Sequence, residues 1–257
     1  MENTITLRGI ILAGGKGTRL GELTKVTNKH LLPVGSVPMV YHPLLKMTGA
    51  GIREILLVSG TEHMGDFVEL LGSGRRYSCS LTYRVQDEAG GIAQALGLAE
   101  HFCKDSPCVV ILGDNIFYDP LAPLLANAGP YPDHAWVGLK RVPDPGRYGV
   151  AELQGHQVVS LEEKPAEPKS DFAVVGIYLY PPDVFDVIRT LKPSRRGELE
   201  ITDVNRHYLE QGRLGYSVLN GYWTDAGTFD SLAHANALVR DEPPLWEWPA
   251  ESRRRAA

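Results

Sequence analysis

The sequence contains little cysteine, no long apolar stretch and no large excess of either charge. Its three cysteines, Cys79, Cys103 and Cys108, lack the spacing of zinc ligands and the density of a disulfide framework. No apolar run approaches the roughly 20 residues needed to span a bilayer. The segment Met1–Arg8 is too polar and too short for a signal peptide. We therefore expect a cytoplasmic protein with reduced cysteines and no membrane partner.

The charge balance argues against a dedicated nucleic-acid-binding protein. The 257 residues include 26 Lys and Arg against 31 Asp and Glu, a formal net charge of −5. Nucleic-acid-binding proteins normally carry a basic surplus, so we expect no nucleic-acid partner. Nucleotides need only a few local cations and stay compatible with this composition. The apolar content of 43% is sufficient for a folded core.

Apolar runs alternate with helical patterns over the first 112 residues. The predicted strands are 8–13, 54–59, 81–85 and 108–112, and the predicted helices are 38–48, 63–71 and 92–102. Continuous apolar strands separated by helices are typical of a parallel sheet covered on both faces. The sequence therefore predicts an α/β fold with a three-layer, Rossmann-like sandwich, in which ligands bind beyond the carboxyl ends of the strands.

The second half of the chain follows a less regular pattern. Its predicted strands are 135–140, 150–153, 158–163, 172–180 and 215–219, and its predicted helices are 182–191, 201–211 and 229–240. This order predicts antiparallel pairs, and hence a mixed, mostly parallel central sheet. We expect one domain over 1–240, followed by a tail over 241–257 that contains prolines and tryptophans. The tail is equally compatible with a frayed end and with a segment docked on its own or a neighbouring subunit.

A glycine-rich loop follows the first predicted strand. Three glycines, Gly14, Gly15 and Gly17, fall within four positions, and Arg19 follows. Glycines allow a ligand to approach the backbone closely, and exposed N–H groups in such a loop can bind phosphate oxygens. An arginine adds a bidentate phosphate contact. The loop has neither the Walker A ending nor the dinucleotide-binding pattern, and a plain turn is the simpler alternative.

Three further residues indicate phosphate and metal chemistry. Lys29 lies in a loop before a predicted helix, where it can contact a phosphate or remain a solvated surface charge. Asp114 follows the predicted strand 108–112, a position suited to holding Mg²⁺ or to capping a turn. Asp225 precedes Ala226-Gly227 in a predicted turn. Together with Asp114 it can form a two-carboxylate metal site.

Other polar segments beside glycine or proline are weak signals singly, but their joint order is specific. The segments that carry this order are GIILAGGKGTRL, NKHLLP, PMVYHPL, VQDEAGGIAQA, LGDNIFY, RYGV, LEEKP, AVVGIYLY, GELEITDVNRHYLEQGRL and WTDAGT. They extend from about Gly9 to Leu238. On these segments the chain resembles the sugar-1-phosphate nucleotidylyltransferases, most closely the bacterial glucose-1-phosphate thymidylyltransferases. The resemblance implies a nucleotide-diphospho-sugar transferase fold of the GT-A-like type.

The resemblance implies transfer of a thymidylyl group from dTTP to a sugar 1-phosphate, with Mg²⁺ as cofactor and pyrophosphate as the second product. It assigns catalytic roles to Arg19, Lys29, Asp114 and Lys164. It assigns nucleotide binding to Leu12, Gly14, Gly15, Gly17, Thr18, Gln86, Gly91 and Asp114. It assigns sugar-phosphate binding to Gly149, Glu163, Lys164, Val175 and Tyr178, and metal binding to Asp114 and Asp225.

Several departures from the family pattern bear on substrate preference. His30 stands where Gln is common, Gly21-Glu22 replaces an aromatic-proline pair, and Ala226 replaces a common Thr. The resemblance implies that Gln86 binds features shared by thymine and uracil. The alternatives are therefore UTP or an unusual sugar 1-phosphate in the same reaction, and, in another class, a regulator that binds nucleotide sugars without catalysis.

A last departure concerns the C-terminus. Relatives continue for several tens of residues past the predicted helix 229–240, and in them this extension helps to form a second nucleotide site at a subunit interface. We expect weak or absent feedback inhibition of that kind here. The resemblance also implies a homo-oligomer, either a dimer or a tetramer.

Overall fold

The computed structural model describes residues 6–15 and 17–246 of the chain, in two compact units. Unit A contains Leu7–Ala89, Ile111–Ala122 and residues 221–246. Unit B contains Gly90–Val110 and Pro123–Asn220, with Thr6. Within the described ranges, no helix is long and apolar enough to cross a membrane.

The helices and strands follow the predicted alternation closely. The strands are β1 (Arg8–Leu12), β2 (Pro33–Val34), β3 (Val37–Pro38), β4 (Glu54–Gly60), β5 (Ser80–Gln86), β6 (Cys108–Leu112), β7 (Asn115–Phe117), β8 (Ala135–Arg141), β9 (Gly149–Gln154), β10 (Gln157–Glu163), β11 (Phe172–Tyr180), β12 (Leu214–Val218) and β13 (Trp223–Asp225). The helices are α1 (Tyr41–Gly49), α2 (Met64–Leu71), α3 (Ile92–Gly97), α4 (Glu100–Cys103), α5 (Leu121–Ala126), α6 (Val184–Thr190), α7 (Ile201–Glu210) and α8 (Phe229–Asp241).

Unit A contains the predicted parallel strands. β1 pairs in parallel with β4, and β4 pairs in parallel with β5. The end of β6, Ile111–Leu112, lies beside β1 on its other side. Ile10, Ile11 and Ile55 are fully buried, as expected for strands covered on both faces. The carboxyl ends of β1 and β6 therefore adjoin, and each leads directly into a candidate site loop.

A second packing layer of unit A holds the segment around Asp225. β7 and β13 form a short antiparallel pair in which Asn115 lies opposite Asp225. A buried cluster packs this pair against α8 and the hairpin β2–β3, and it consists of Leu20, Val34, Met39, Ile116, Ala226, Leu232 and Ala235. α8 begins with a capping box between Thr228 and Ser231, which stabilises its first turn.

Unit B confirms the expectation of antiparallel pairs in the second half of the chain. β11 pairs antiparallel with β8 and with β9, β9 pairs antiparallel with β10, and β12 is parallel to β8. The hydroxyl of Tyr180 on β11 donates to Asn205 Oδ1 on α7 at 2.6 Å, so the helix is tied to the sheet by a buried hydrogen bond.

Two predicted helices differ most from the structure. The predicted helix 92–102 is interrupted between Gly97 and Glu100, giving α3 and α4. Glycine is a poor helix former, which explains why the first helix ends there. The predicted helix 38–48 begins later, at Tyr41, because Pro38 belongs to the hairpin strand β3.

The first part of the tail contacts unit A. Leu245 N–H donates to Tyr118 O at 3.2 Å, and the rings of Trp246 and His42 meet edge to face with centroids 5.8 Å apart. These contacts favour the docked alternative for Leu245 and Trp246. The rest of the predicted tail, 247–257, lies outside the described residues.

Candidate active site

The glycine-rich loop leaves β1 at its carboxyl end and lies beside Gln86. Gly15 and Gly17 have φ values of +93° and +61°, which favour glycine, and Thr18 is exposed. A Cβ placed on Gly14 would lie 2.5 Å from Gln86 Oε1, so any side chain at this position would collide with the amide. The loop and Gln86, at the end of β5, therefore adjoin as the predicted nucleotide site requires.

Lys29 and Asp114 form an ion pair at the same end of the sheet. Lys29 Nζ lies 2.5 Å from Asp114 Oδ2, and Asn115 Nδ2 donates to Asp114 Oδ1 at 3.0 Å. Burial alone would raise the pKa of Asp114, but the charge of Lys29 and the hydrogen bonds from Lys29 and Asn115 outweigh it, and the pKa lies well below its usual range. Asp114 is therefore a carboxylate at neutral pH.

Asp225 and Arg19 converge with Asp114 on one point of the backbone, Gly227. A Cβ placed on Gly227 would lie 3.2 Å from Arg19 Nη2 and 3.6 Å from both Asp114 Oδ2 and Asp225 Oδ2. The N–H of Ala226 donates to Asp114 O at 2.8 Å and fixes the two carboxylate-bearing segments together. We call Arg19, Lys29, Asp114 and Asp225 the charged cluster.

The two carboxylates of the charged cluster fit a magnesium ion. Mg²⁺ is commonly held by one or two carboxylates and completes its shell with water and substrate phosphate oxygens. Because Gly227 has no side chain, space remains beside both carboxylates. Within the part of the chain that the structure describes, no group of three or more His, Cys, Asp and Glu is arranged to hold a metal. A metal at Asp114 and Asp225 would thus depend on substrate oxygens.

Unit B holds the residues predicted to bind the sugar phosphate. Thr202 Oγ1 donates to Glu163 Oε2 at 2.5 Å, and a Cβ placed on Gly149 would lie 3.5 Å from the same oxygen. Lys164 Nζ lies 3.7 Å from Glu163 Oε1. Lys164 has a φ of +44°, an unusual value for a residue other than glycine, and its N–H donates to Tyr148 O. The backbone at Lys164 is thus held in a specific conformation beside Glu163.

Sequence reasoning missed Arg196, which connects the residues of this group. Its guanidinium makes three hydrogen bonds to Glu200, lies 3.1 Å from Glu198 Oε2 and lies 3.9 Å from Glu163 Oε1. Glu198 in turn adjoins Gly91, where an added Cβ would meet the backbone of Leu199 at 2.5 Å. Two adjacent arginines in a loop are typical of solvated surface charges, so the sequence alone does not distinguish Arg196 from Arg195.

Val175 and Tyr178 differ from the other predicted sugar-site residues because their side chains are buried. Both lie on β11, and the Tyr178 ring stacks on Tyr180 with centroids 5.8 Å apart. Val174 pairs with Gly149 on β9, so Val175 is next to the Gly149 position in the sheet. Their contribution to a ligand site would come from the backbone at Val175 and from the shape of the sheet.

Comparison with known proteins identifies the family of the chain. The sequence pattern of the nucleotidyl transferase family matches residues 8–242. The chain is 44% identical to a glucose-1-phosphate thymidylyltransferase of Neisseria meningitidis over 238 residues, which is 91% of this chain and 83% of that protein. It is 45% identical to a Mycobacterium tuberculosis protein of the same name, over 91% of this chain and 82% of the relative.

Solved structures give the same result for the fold. A Bacillus anthracis protein assigned as a glucose-1-phosphate thymidylyltransferase and crystallised with sucrose superimposes with a TM-score of 0.90 and 53% identity, covering 96% of this chain and 99% of that one. A UDP-glucose pyrophosphorylase in complex with UDP-glucose, 23% identical, shares the α/β fold with a TM-score of 0.82, covering 91% and 98%. The family match, together with the resemblance of the motifs, shows that the chain is an enzyme that belongs to the nucleotidyl transferase family.

Proposed function

We propose that this enzyme transfers the thymidylyl group of dTTP to a sugar 1-phosphate, with α-D-glucose 1-phosphate as the preferred acceptor. The products are a dTDP-sugar and pyrophosphate. The observation that carries the proposal is the convergence of Arg19, Asp114 and Asp225 on Gly227, with Lys29 on Asp114, beside the glycine-rich loop. The names of the relatives at 44–45% identity support the choice of dTTP and of glucose 1-phosphate.

The chemistry requires charge compensation more than a protein nucleophile. An oxygen of the sugar phosphate, already an anion, attacks the α-phosphorus of dTTP, and the bond from that phosphorus to the α–β bridging oxygen breaks. The electron pair leaves with pyrophosphate. Both reactants are anions, so the barrier is largely repulsion and alignment. Arg19 and Lys29 offset the repulsion, and the N–H groups of the glycine-rich loop orient the phosphates.

The carboxylates of Asp114 and Asp225 would hold Mg²⁺ in this reaction. When bound, Mg²⁺ neutralises phosphate charge and fixes the phosphate oxygens relative to the attacking group. Lys29 already occupies one oxygen of Asp114, so the ion pair orients that carboxylate before substrate binds. The depressed pKa of Asp114 keeps it ionised and able to coordinate across the physiological range.

Recognition of the two substrates falls to separate sets of residues. Gln86, next to Gly14, would bind the pyrimidine edge of the nucleotide. Gly149, Glu163 and Lys164 would bind the sugar and its phosphate, and Lys164, whose Nζ lies 3.7 Å from Glu163 Oε1, would supply the cation for that phosphate. Cytoplasmic location and homo-oligomeric assembly remain predictions from the sequence.

A substrate panel tests the proposal. Purified enzyme is assayed for pyrophosphate release with dTTP, UTP, ATP and GTP, each against glucose 1-phosphate and other hexose 1-phosphates, with and without Mg²⁺. We expect Mg²⁺-dependent release, with dTTP and glucose 1-phosphate giving the highest kcat/KM. A preference for UTP or another sugar would replace the substrate assignment within the same reaction. No release with any pair would favour the non-catalytic alternative.

A further inference from the structure

The mechanism leaves one buried titratable residue beside the charged cluster without a role, and that residue is His30. It follows Lys29 directly and is only 1% exposed. A Cβ placed on Gly113 would lie 2.6 Å from His30 Cδ2 and 3.0 Å from Nε2. The imidazole therefore lies in contact with the backbone immediately before Asp114. It is therefore close to both partners of the ion pair. It follows Lys29 in the sequence, and it packs against Gly113, the residue before Asp114.

Hydrogen bonds fix the orientation of this ring. Asn28 Oδ1 accepts from the backbone N–H of His30 at 2.9 Å and lies 2.7 Å from His30 Nδ1. Because this oxygen is an acceptor, Nδ1 must carry the proton and donate to it. Asn28 Nδ2 donates to Ala13 O at 3.4 Å, at the start of the glycine-rich loop. One side-chain network thus connects the Lys29 loop to the phosphate-binding loop.

The ring adds no charge to the cluster. Burial, and secondly the charge of Lys29, lower the pKa of His30 to about 3, with Asp114 opposing the shift. A neutral imidazole does not compete with Lys29 for the carboxylate of Asp114. The residue therefore acts through shape and through its hydrogen bond to Asn28.

We propose that His30 is a positioning residue that holds Lys29 and Asp114 in contact and in line with the glycine-rich loop. Without the ring, the backbone of Gly113 and Asp114 loses a packing contact. The loop that carries Lys29 loses the ring's hydrogen bond to Asn28, so the position of the Lys29 amine is no longer fixed. The consequence for catalysis rests on the proposed function. The geometric consequence, the distance between Lys29 Nζ and Asp114 Oδ2, does not.

The test uses three variants of the full-length enzyme. His30→Ala removes the ring, and His30→Gln retains a donor and most of the volume. His42→Ala is the matched control, because His42 is equally buried at 1% exposure and its Nε2–H donates to Val34 O at 3.1 Å, outside the charged cluster. Steady-state kinetics separate kcat from the KM for dTTP, and thermal unfolding reports the general effect on stability.

We expect His30→Ala to lower kcat by about 30- to 100-fold, the scale of a misplacement near 1 Å, with less than about a threefold change in KM. His30→Gln should recover kcat to within about tenfold of wild type, and His42→Ala should retain it despite a similar loss of Tm. If His30→Ala retains wild-type kcat, or if His42→Ala loses as much, the positioning role is wrong. If His30→Ala does not fold, His30→Val removes both the ring and the donor while it retains some of the apolar volume, and a normal kcat in that variant would equally overturn the proposal.

Crystal structures of wild type and the variants give a readout that does not depend on turnover. We expect the Lys29–Asp114 contact to persist in wild type, His30→Gln and His42→Ala, and to be broken in His30→Ala. An intact contact in His30→Ala contradicts the positioning role even if the enzyme is inactive on every substrate pair. An inactive wild type with a broken contact in His30→Ala rejects the proposed function alone.

Discussion

Two lysines of unit A lie at opposite ends of the same short strand, β7, and their surroundings differ. Lys29 pairs with the carboxylate of Asp114, just before the strand, and its side chain is 13% exposed. Lys46 is 2% exposed, and its amine donates to the backbone oxygens of Tyr118 and Asp119, both at 2.6 Å, and of Leu245 at 3.3 Å. Lys29 therefore lies at the candidate active site. The amine of Lys46 is surrounded by three backbone carbonyl oxygens, which we call the Lys46 cage.

The two environments suit the same side chain to different roles, which are ligand binding at Lys29 and structural support at Lys46. The Lys46 amine has three N–H donors, and three carbonyls occupy them, so nothing remains for a ligand. Among the described residues the Lys29 amine has one acceptor at hydrogen-bond distance, Asp114 Oδ2, and Lys29 lies beside the glycine-rich loop. We conclude that Lys46 joins α1, the end of β7 and the C-terminal segment, while Lys29 is oriented for an anionic substrate.

The largest difference between the two lysines is expected when each is replaced by methionine, which has similar length and no charge. Lys29→Met should lower kcat by about 10³-fold, because it removes a preorganised cation from the transition state. Lys46→Met should leave kcat within about threefold of wild type, since its amine touches no substrate, yet lower Tm through three unpaired carbonyls. Pyrophosphate release and thermal unfolding measure both. Equal kinetic losses in the two variants would contradict the division of roles.

A second test fills the space on which the charged cluster converges. In Gly227→Ala the new methyl group lies 3.2 Å from Arg19 Nη2 and 3.6 Å from both carboxylates, so Arg19 must shift while the fold is retained. We expect kcat to fall by about 10- to 100-fold, with a raised Mg²⁺ requirement. Gly65→Ala is the control, because nothing lies within 4 Å of its Cβ position in α2. If Gly227→Ala keeps full activity, the convergence point is not where the substrate phosphates bind.

The smallest expected effect is the pH dependence of the Lys46 cage. Burial lowers the pKa of Lys46 to about 7, against the opposing charge of Asp119. Above that pH the neutral amine has two N–H donors for three carbonyls, and the longest contact, to Leu245 O, should be lost. Hydrogen-exchange protection of the Leu245 amide, corrected for intrinsic rates, should therefore decrease a few-fold between pH 6 and pH 9.

The global stability should respond in the opposite direction. The unfolded lysine has a pKa near 10.4, so between about pH 7 and pH 10 the unfolded chain binds more protons at this group than the folded one. The contribution of Lys46 to the free energy of unfolding therefore rises with pH across that window. Lys46→Met should abolish both trends. Trends of the same size in this variant would show that another group is responsible.

The sequence predicted the repeated strand–helix order because long apolar strands such as β4 have a clear pattern. It also predicted that the glycine-rich loop, Lys29, Asp114 and Asp225 belong together, through the resemblance of their motifs. It could not predict β7 and β13, since three-residue strands carry no periodicity. Nor could it separate Lys46 from a surface lysine, because its acceptors are backbone oxygens far along the chain.

The proposed transfer is a single direct displacement, in which the charged cluster assists the reaction and no protein nucleophile takes part. Its most direct measurement is the stereochemical course at the α-phosphorus, with a single diastereomer of dTTPαS and glucose 1-phosphate as substrates and ³¹P NMR of the dTDP-sugar thiophosphate product. One in-line displacement predicts inversion of configuration. Retention would contradict the account, because it requires two displacements through a nucleotide bound covalently to the enzyme.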